Sequence, residues 1–96
     1  MYASLTPLNL GPGMRAAGEK MADQFAPVLK NLKGFKGVTF FGDATVCEYN
    51  TLIIWESKED AEAANTIMAP KIQEAAGSIL KGPSTRKVFE VYKPKS

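Results

Sequence analysis

The order in which hydrophobic periodicities follow one another constrains this chain most. Apolar residues recur at spacings of three and four in two stretches, and each is flanked by short runs rich in β-branched and aromatic residues. The first run, Tyr2 to Leu10, stops at Gly11-Pro12-Gly13, a combination that turns the chain sharply. Met14, Ala17, Met21, Phe25, Val28 and Leu32 then line one face of a long helix, with Arg15, Glu19, Lys20, Asp23 and Lys30 mainly between them. Pro27 interrupts that pattern. Proline removes a ladder donor and crowds the preceding turn, so a kink or looser turn is predicted there, with the helix ending near Gly34.

Gly34-Phe35-Lys36-Gly37 leads into a second strand, Val38-Thr39-Phe40-Phe41, and Thr51 to Trp55 forms a third. A turn at Gly42-Asp43 would join them, but one near Cys47 to Asn50 gives more even arms and is the expected connection. That choice sets which of Phe40 and Phe41 shares a sheet face with Trp55, and the sequence leaves it open. Ser57 can cap a helix whose first turn carries Glu59 and Asp60, favourable beside its positive end. Ala61, Ala64, Ile67 and Met68 form its expected inner stripe. Pro70 predicts a break before a second piece carrying Ile72, Ala75, Ala76, Ile79 and Leu80, which ends at Gly82-Pro83. Thr85 to Tyr92 is the last strand, and Lys93 to Ser96 a frayed tail. The order strand, helix, strand, strand, helix, strand predicts an α+β fold of the ferredoxin-like split βαβ type, a four-stranded antiparallel sheet backed by helices on one face.

Ninety-six residues suit a single domain over 1–96, in which a chain buries roughly 60 to 70% of its unfolded surface. A net charge of +2, from 12 basic and 10 acidic residues spread along the chain, offers no run able to neutralise many phosphates, so nucleic-acid binding is not expected. One cysteine, Cys47, permits no intramolecular disulfide and fits a reducing, cytoplasmic setting; with Glu48 beside it the thiol is expected to be unreactive. Met1 to Leu10 does not read as a targeting segment, and no apolar run approaches the ~18 residues of a membrane span. The chain has no histidine, which removes Ser-His-Asp and Cys-His catalysis and every imidazole metal ligand at once. No metal site and no cofactor are expected. The strands around Phe40-Phe41 and Leu52 to Trp55 are apolar on both faces, and a homodimer is the simplest cover for the second.

Gly11-Pro12-Gly13, Gly34-Phe35-Lys36-Gly37 and Trp55-Glu56-Ser57-Lys58, in that order and spacing over nearly the whole chain, resemble the antibiotic biosynthesis monooxygenase-like family. The resemblance implies a dimeric α+β barrel, formed by sheet faces packing together, with a small-molecule cavity between each sheet and its helices. It implies one of several activities: cofactor-independent monooxygenation of polycyclic phenols, quinol oxygenation, or haem degradation. The last needs a histidine that this chain lacks. The family's tryptophan is matched by Trp55, whereas its strand-one asparagine has no secure counterpart at Asn9.

Trp55 therefore leads the candidate pocket residues, since its flat ring can stack on an aromatic molecule and donate a hydrogen bond, although a strand-end tryptophan is also ordinary core. Phe40 can pack beneath the helices, and Met21, Phe25 and Met68 lie on helical stripes that usually serve the core. Tyr49 and Asn50 can offer polar groups at a cavity mouth, with an exposed turn position the commoner role. Arg86 presents a fixed fork of donors for a phenolate, or is a solvated strand charge. Gly11-Pro12-Gly13 lacks the rest of a phosphate loop and is a turn. The expected function is that of a small cofactor-independent monooxygenase acting on a phenolic or quinol-type molecule, with a non-catalytic dimeric binding or accessory protein of the same fold as the alternative.

Overall fold

The computed structural model describes residues 1–43, 45–46, 48–77 and 86–92. The elements follow the expected order: β1 (Tyr2–Asn9), α1 (Arg15–Lys30), β2 (Phe35–Asp43), β3 (Glu48–Trp55), α2 (Lys58–Ala76) and β4 (Lys87–Glu90). The strands form one four-stranded sheet in the order β2-β3-β1-β4, antiparallel at every pairing. This is the ferredoxin-like α+β fold. The central pair β1 and β3 aligns Tyr2 with Trp55, Ser4 with Ile53, Thr6 with Thr51 and Leu8 with Tyr49. Strand alternation puts these residues on the helix-covered face.

The core lies between that face and the helices. Met21, Phe25 and Leu29 of α1 and Ala61, Ala64 and Met68 of α2 meet Ile53 and Trp55 of β3, with Leu10 closing the end near the first turn. Each large side chain taken out of water here contributes about 1.5–3 kcal/mol. Gly11 and Gly13, at φ 82° and 74°, occupy the left-handed region that the turn before α1 requires.

Several expectations are corrected. Neither proline breaks its helix: α1 runs through Pro27 to Lys30, and α2 runs through Pro70 to Ala76. Both prolines are exposed, as are Asp23 and Thr66 four residues before them, where water can replace the missing donor. Asn31 helps end α1 by donating its side-chain amide to the Pro27 carbonyl at 3.0 Å. Ser57 caps α2 as expected, accepting from the Asp60 N–H at 3.1 Å. Ile67, however, is 45% exposed and does not belong to the inner stripe of Ala61, Ala64 and Met68. It lies about 100° around the helix from Met68.

The hairpin turn falls between the two positions the sequence suggested. Gly42 pairs with Tyr49 and Asp43 with Glu48, so the connection spans 44–47 and Asn50 is a strand residue opposite Phe41. Asp43 organises the loop, its Oδ1 accepting from the Thr45 hydroxyl at 2.6 Å and the Thr45 N–H at 2.9 Å. Both bonds, the hydroxyl's first, hold its carboxyl below the usual value. A side chain that turns the backbone two residues on outweighed the evenness of the arms. Cys47, Ile79, Leu80, Gly82, Pro83, Thr85 and the Lys93 to Ser96 tail lie outside the described residues.

This register settles the two phenylalanines. Phe40 pairs with Thr51 and shares the helix-side face with Trp55, while Phe41 lies on the open face. There it joins Leu5, Leu52, Ile54 and Phe89, and Phe41 and Phe89 are about half exposed. Among the described residues, no helix is long and apolar enough to cross a membrane.

Candidate functional site

A cavity of about 330 Å³ lies between the sheet and the helices. The sheet is its floor. Ser4 and Thr6 rise from β1, Tyr49, Thr51, Ile53 and Trp55 from β3, and Phe40 from β2. Met21 and Phe25 form one wall, Ala64 and Met68 the other, and Arg86 stands just ahead of β4. All eight residues singled out in the sequence border this space.

They differ in how they do so. Met21, Phe25 and Met68 are at once cavity wall and buried core. Trp55 is 1% exposed; the edge-to-face Phe35 ring holds it at a centroid distance of 6.1 Å. Its indole N–H is already committed, donating to Ser4 Oγ at 3.1 Å. Trp55 thus meets a ligand through its ring, not its donor. Asn50 borders the cavity from a position whose side chain alternates onto the open face with Phe41.

Tyr49 is a half-buried strand residue, not an exposed turn residue. Two glycines make room for its ring. A methyl group on Gly42 would come within 2.8 Å of Tyr49 Cδ1, and one on Gly18, in the middle of α1, within 3.5 Å. The second distance is ordinary contact. Gly18→Ala is therefore expected to stabilise the protein by about 0.5–1 kcal/mol through helix propensity. Thermal unfolding should show this as a rise of a few degrees, and a fall would mean that the Tyr49 ring sits closer to α1 than described.

Arg86 is not a solvated strand charge. Its Nη2 donates to the Ala61 carbonyl at 2.9 Å and its Nη1 lies 3.6 Å from Glu62 Oε1, with 20% of the side chain exposed. It ties the segment entering β4 to the first turns of α2. Arg15 and Glu19, 3.8 Å apart and both well exposed, are the other charged residues bordering the cavity. Elsewhere the described lining is apolar or neutral. Such a space suits a flat, largely apolar molecule with few polar groups.

Ser4, like Thr6 and Thr51, is a site residue that the sequence did not reveal. Among the described residues it is the buried polar one, 3% exposed, and nothing local marks it, because its link to Trp55 spans 51 positions. Only the β1–β3 register brings the two together.

No family model matches the sequence, and no curated protein does. Solved structures match the fold over nearly its full length. A Caulobacter crescentus protein provisionally designated an antibiotic biosynthesis monooxygenase superposes with a TM-score of 0.77 at 19% identity, covering 96% of this chain and 90% of its own. A monooxygenase of Streptomyces coelicolor, solved with nanaomycin D, gives 0.75 at 14% identity, covering 97% and 88%. A Nitrosomonas europaea protein of unknown function gives 0.83 at 16% identity, covering 99% and 92%. The chain has the fold of antibiotic biosynthesis monooxygenase-like proteins.

Proposed function

We propose that this chain is a monooxygenase-like member of that family, which admits a planar phenolic or quinol-type molecule between sheet and helices. The observation that carries the proposal is the cavity itself, of small-molecule size, apolar-walled and floored by the Trp55 ring. The Streptomyces coelicolor monooxygenase, which has the same fold and was solved with the ligand nanaomycin D, supports it. In the proposed reaction the substrate ionises in the pocket and its electron-rich ring carbon combines with dioxygen. One oxygen atom becomes a ring carbonyl and the other leaves as water, the substrate supplying all the electrons. Trp55 positions the ring, and Arg86, with guanidinium hydrogens beyond those held by Ala61, stabilises the developing oxyanion. No metal or cofactor takes part in this proposal. The protein works as a cytoplasmic homodimer, whose open sheet faces, carrying Phe41 and Phe89, pack against each other.

Oxygen uptake by metal-free protein given hydroquinones and anthrones tests the reaction. Uptake above the spontaneous rate is expected, falling at least about tenfold in Trp55→Phe through loss of substrate alignment. Uptake no faster than without protein would favour the non-catalytic binder instead, consistent with the lack of an unpaired carboxylate among the described lining residues. A light-scattering mass equal to one 10.4 kDa chain would remove the dimer.

A further inference from the structure

Burying a hydroxyl is unfavourable unless it bonds at both its proton and its lone pairs. Ser4 meets half of that requirement. Its oxygen accepts the Trp55 indole N–H at 3.1 Å, and its own proton has no acceptor among the described residues. The residue is 3% exposed and borders the cavity, so the proton faces the ligand space and not bulk water. An indole N–H can only donate, which fixes the direction of the bond: Ser4 must turn its proton away from Trp55. Accepting one hydrogen bond also polarises a hydroxyl and makes it a better donor.

We propose that Ser4 is the hydrogen-bond donor that selects ligands with an acceptor oxygen on a planar ring system, a ketone, quinone or phenolate, and that Trp55 is the positioning residue that aims it. This deepens the functional proposal and rests on it, naming the group that recognises the oxygen. Thr6 and Thr51 face each other on the same sheet face, and Arg86, beside Glu62, borders the same space, so hydroxyl and guanidinium donors are at hand for an electron-rich oxygen.

The test compares two planar tricyclic probes that differ at one position, 9-fluorenone with its carbonyl and fluorene without it, by equilibrium dialysis. Wild-type protein is expected to hold fluorenone about three- to tenfold more tightly than fluorene, the worth of one neutral hydrogen bond. Ser4→Ala should bring that ratio to about one by weakening fluorenone alone. Ser4→Cys, close in size and a poor donor, should do the same and serves if the alanine variant does not fold. A purely structural role for Ser4 would weaken both probes equally and leave the ratio unchanged, which overturns the proposal. Equal binding of the two probes by wild type overturns it as well, while leaving the pocket standing. Binding of neither overturns the pocket, and the Ser4 assignment with it.

Discussion

Trp55→Ala should lower the free energy of unfolding by about 3–5 kcal/mol, within the range for deleting a large buried aromatic ring. The reasons are additive in kind. The ring is 1% exposed, it meets Phe35 edge to face, and its N–H is the partner of buried Ser4, which the substitution would leave unbonded. The partners and core side chains packed with it come from both helices and three strands, so the void cannot close by moving one of them. A domain with a total stability of about 5–15 kcal/mol loses a large part of it. Urea unfolding, followed by circular dichroism because the variant has no tryptophan, checks this through the midpoint at unchanged slope. Trp55→Phe should cost clearly less, which makes it the variant to use in the uptake experiment. A loss below about 1 kcal/mol in Trp55→Ala would show that the ring is not the core residue described here.

Gly34→Ala should be nearly as damaging, at about 2–4 kcal/mol, for a different reason. Gly34 has a φ of 81°, where an L side chain is strained, and the methyl group would collide with the Asp60 carboxylate in the first turn of α2. The carbonyl of Gly34 also accepts from the Glu56 N–H at 2.8 Å, so the glycine cannot move aside without breaking the joint between the α1 exit and the end of β3. Gly13→Ala separates the two effects. Its φ is 74° but nothing lies within 4 Å of the added carbon, so only the backbone cost of about 1–2 kcal/mol applies. If the two variants unfolded at the same urea concentration, the contact with Asp60 would be irrelevant to stability.

The same joint carries an exposed ion pair, Lys36 Nζ to Glu56 Oε2 at 2.8 Å. The hydrogen bond, and then the opposite charge, raise the lysine pKa and lower that of the glutamate. Lys36 sits at a β-bulge, where the register between β2 and β3 slips at Phe35 and Gly37.

What was legible in the sequence was whatever a short window determines. Periodicity gave the element order, and Ser57 followed by Glu59 and Asp60 gave the start of α2, since caps and charges act within one turn. Pro27 and Pro70 misled because a proline's effect depends on which side of the helix it occupies, and the exposed side tolerates it. Ile67 misled because an apolar residue next to the stripe resembles part of it until the helix is oriented against the sheet. The hairpin hinged on one aspartate side chain, and all that followed from its register was hidden with it: the separation of Phe40 from Phe41, the place of Tyr49 and the meeting of Ser4 with Trp55. The pocket was implied by the family resemblance, and large aromatic and thioether side chains served as candidates for it because core and cavity wall are built from the same residues. The buried hydroxyl of Ser4 left no such trace.

The strand order β2-β3-β1-β4 divides the site between the middle of the sheet and its edge. Trp55, Ile53 and Thr51 belong to β3, and Ser4 and Thr6 to β1, both bonded on two sides. Arg86 belongs to the approach to β4, a four-residue edge strand paired on one side and fastened to α2 through the Ala61 carbonyl. The surface that would orient a ligand's ring thus rests on strands bonded on both sides, while Arg86 reaches the same space from the sheet's edge, where its bond to α2, and not a second neighbouring strand, fixes its place.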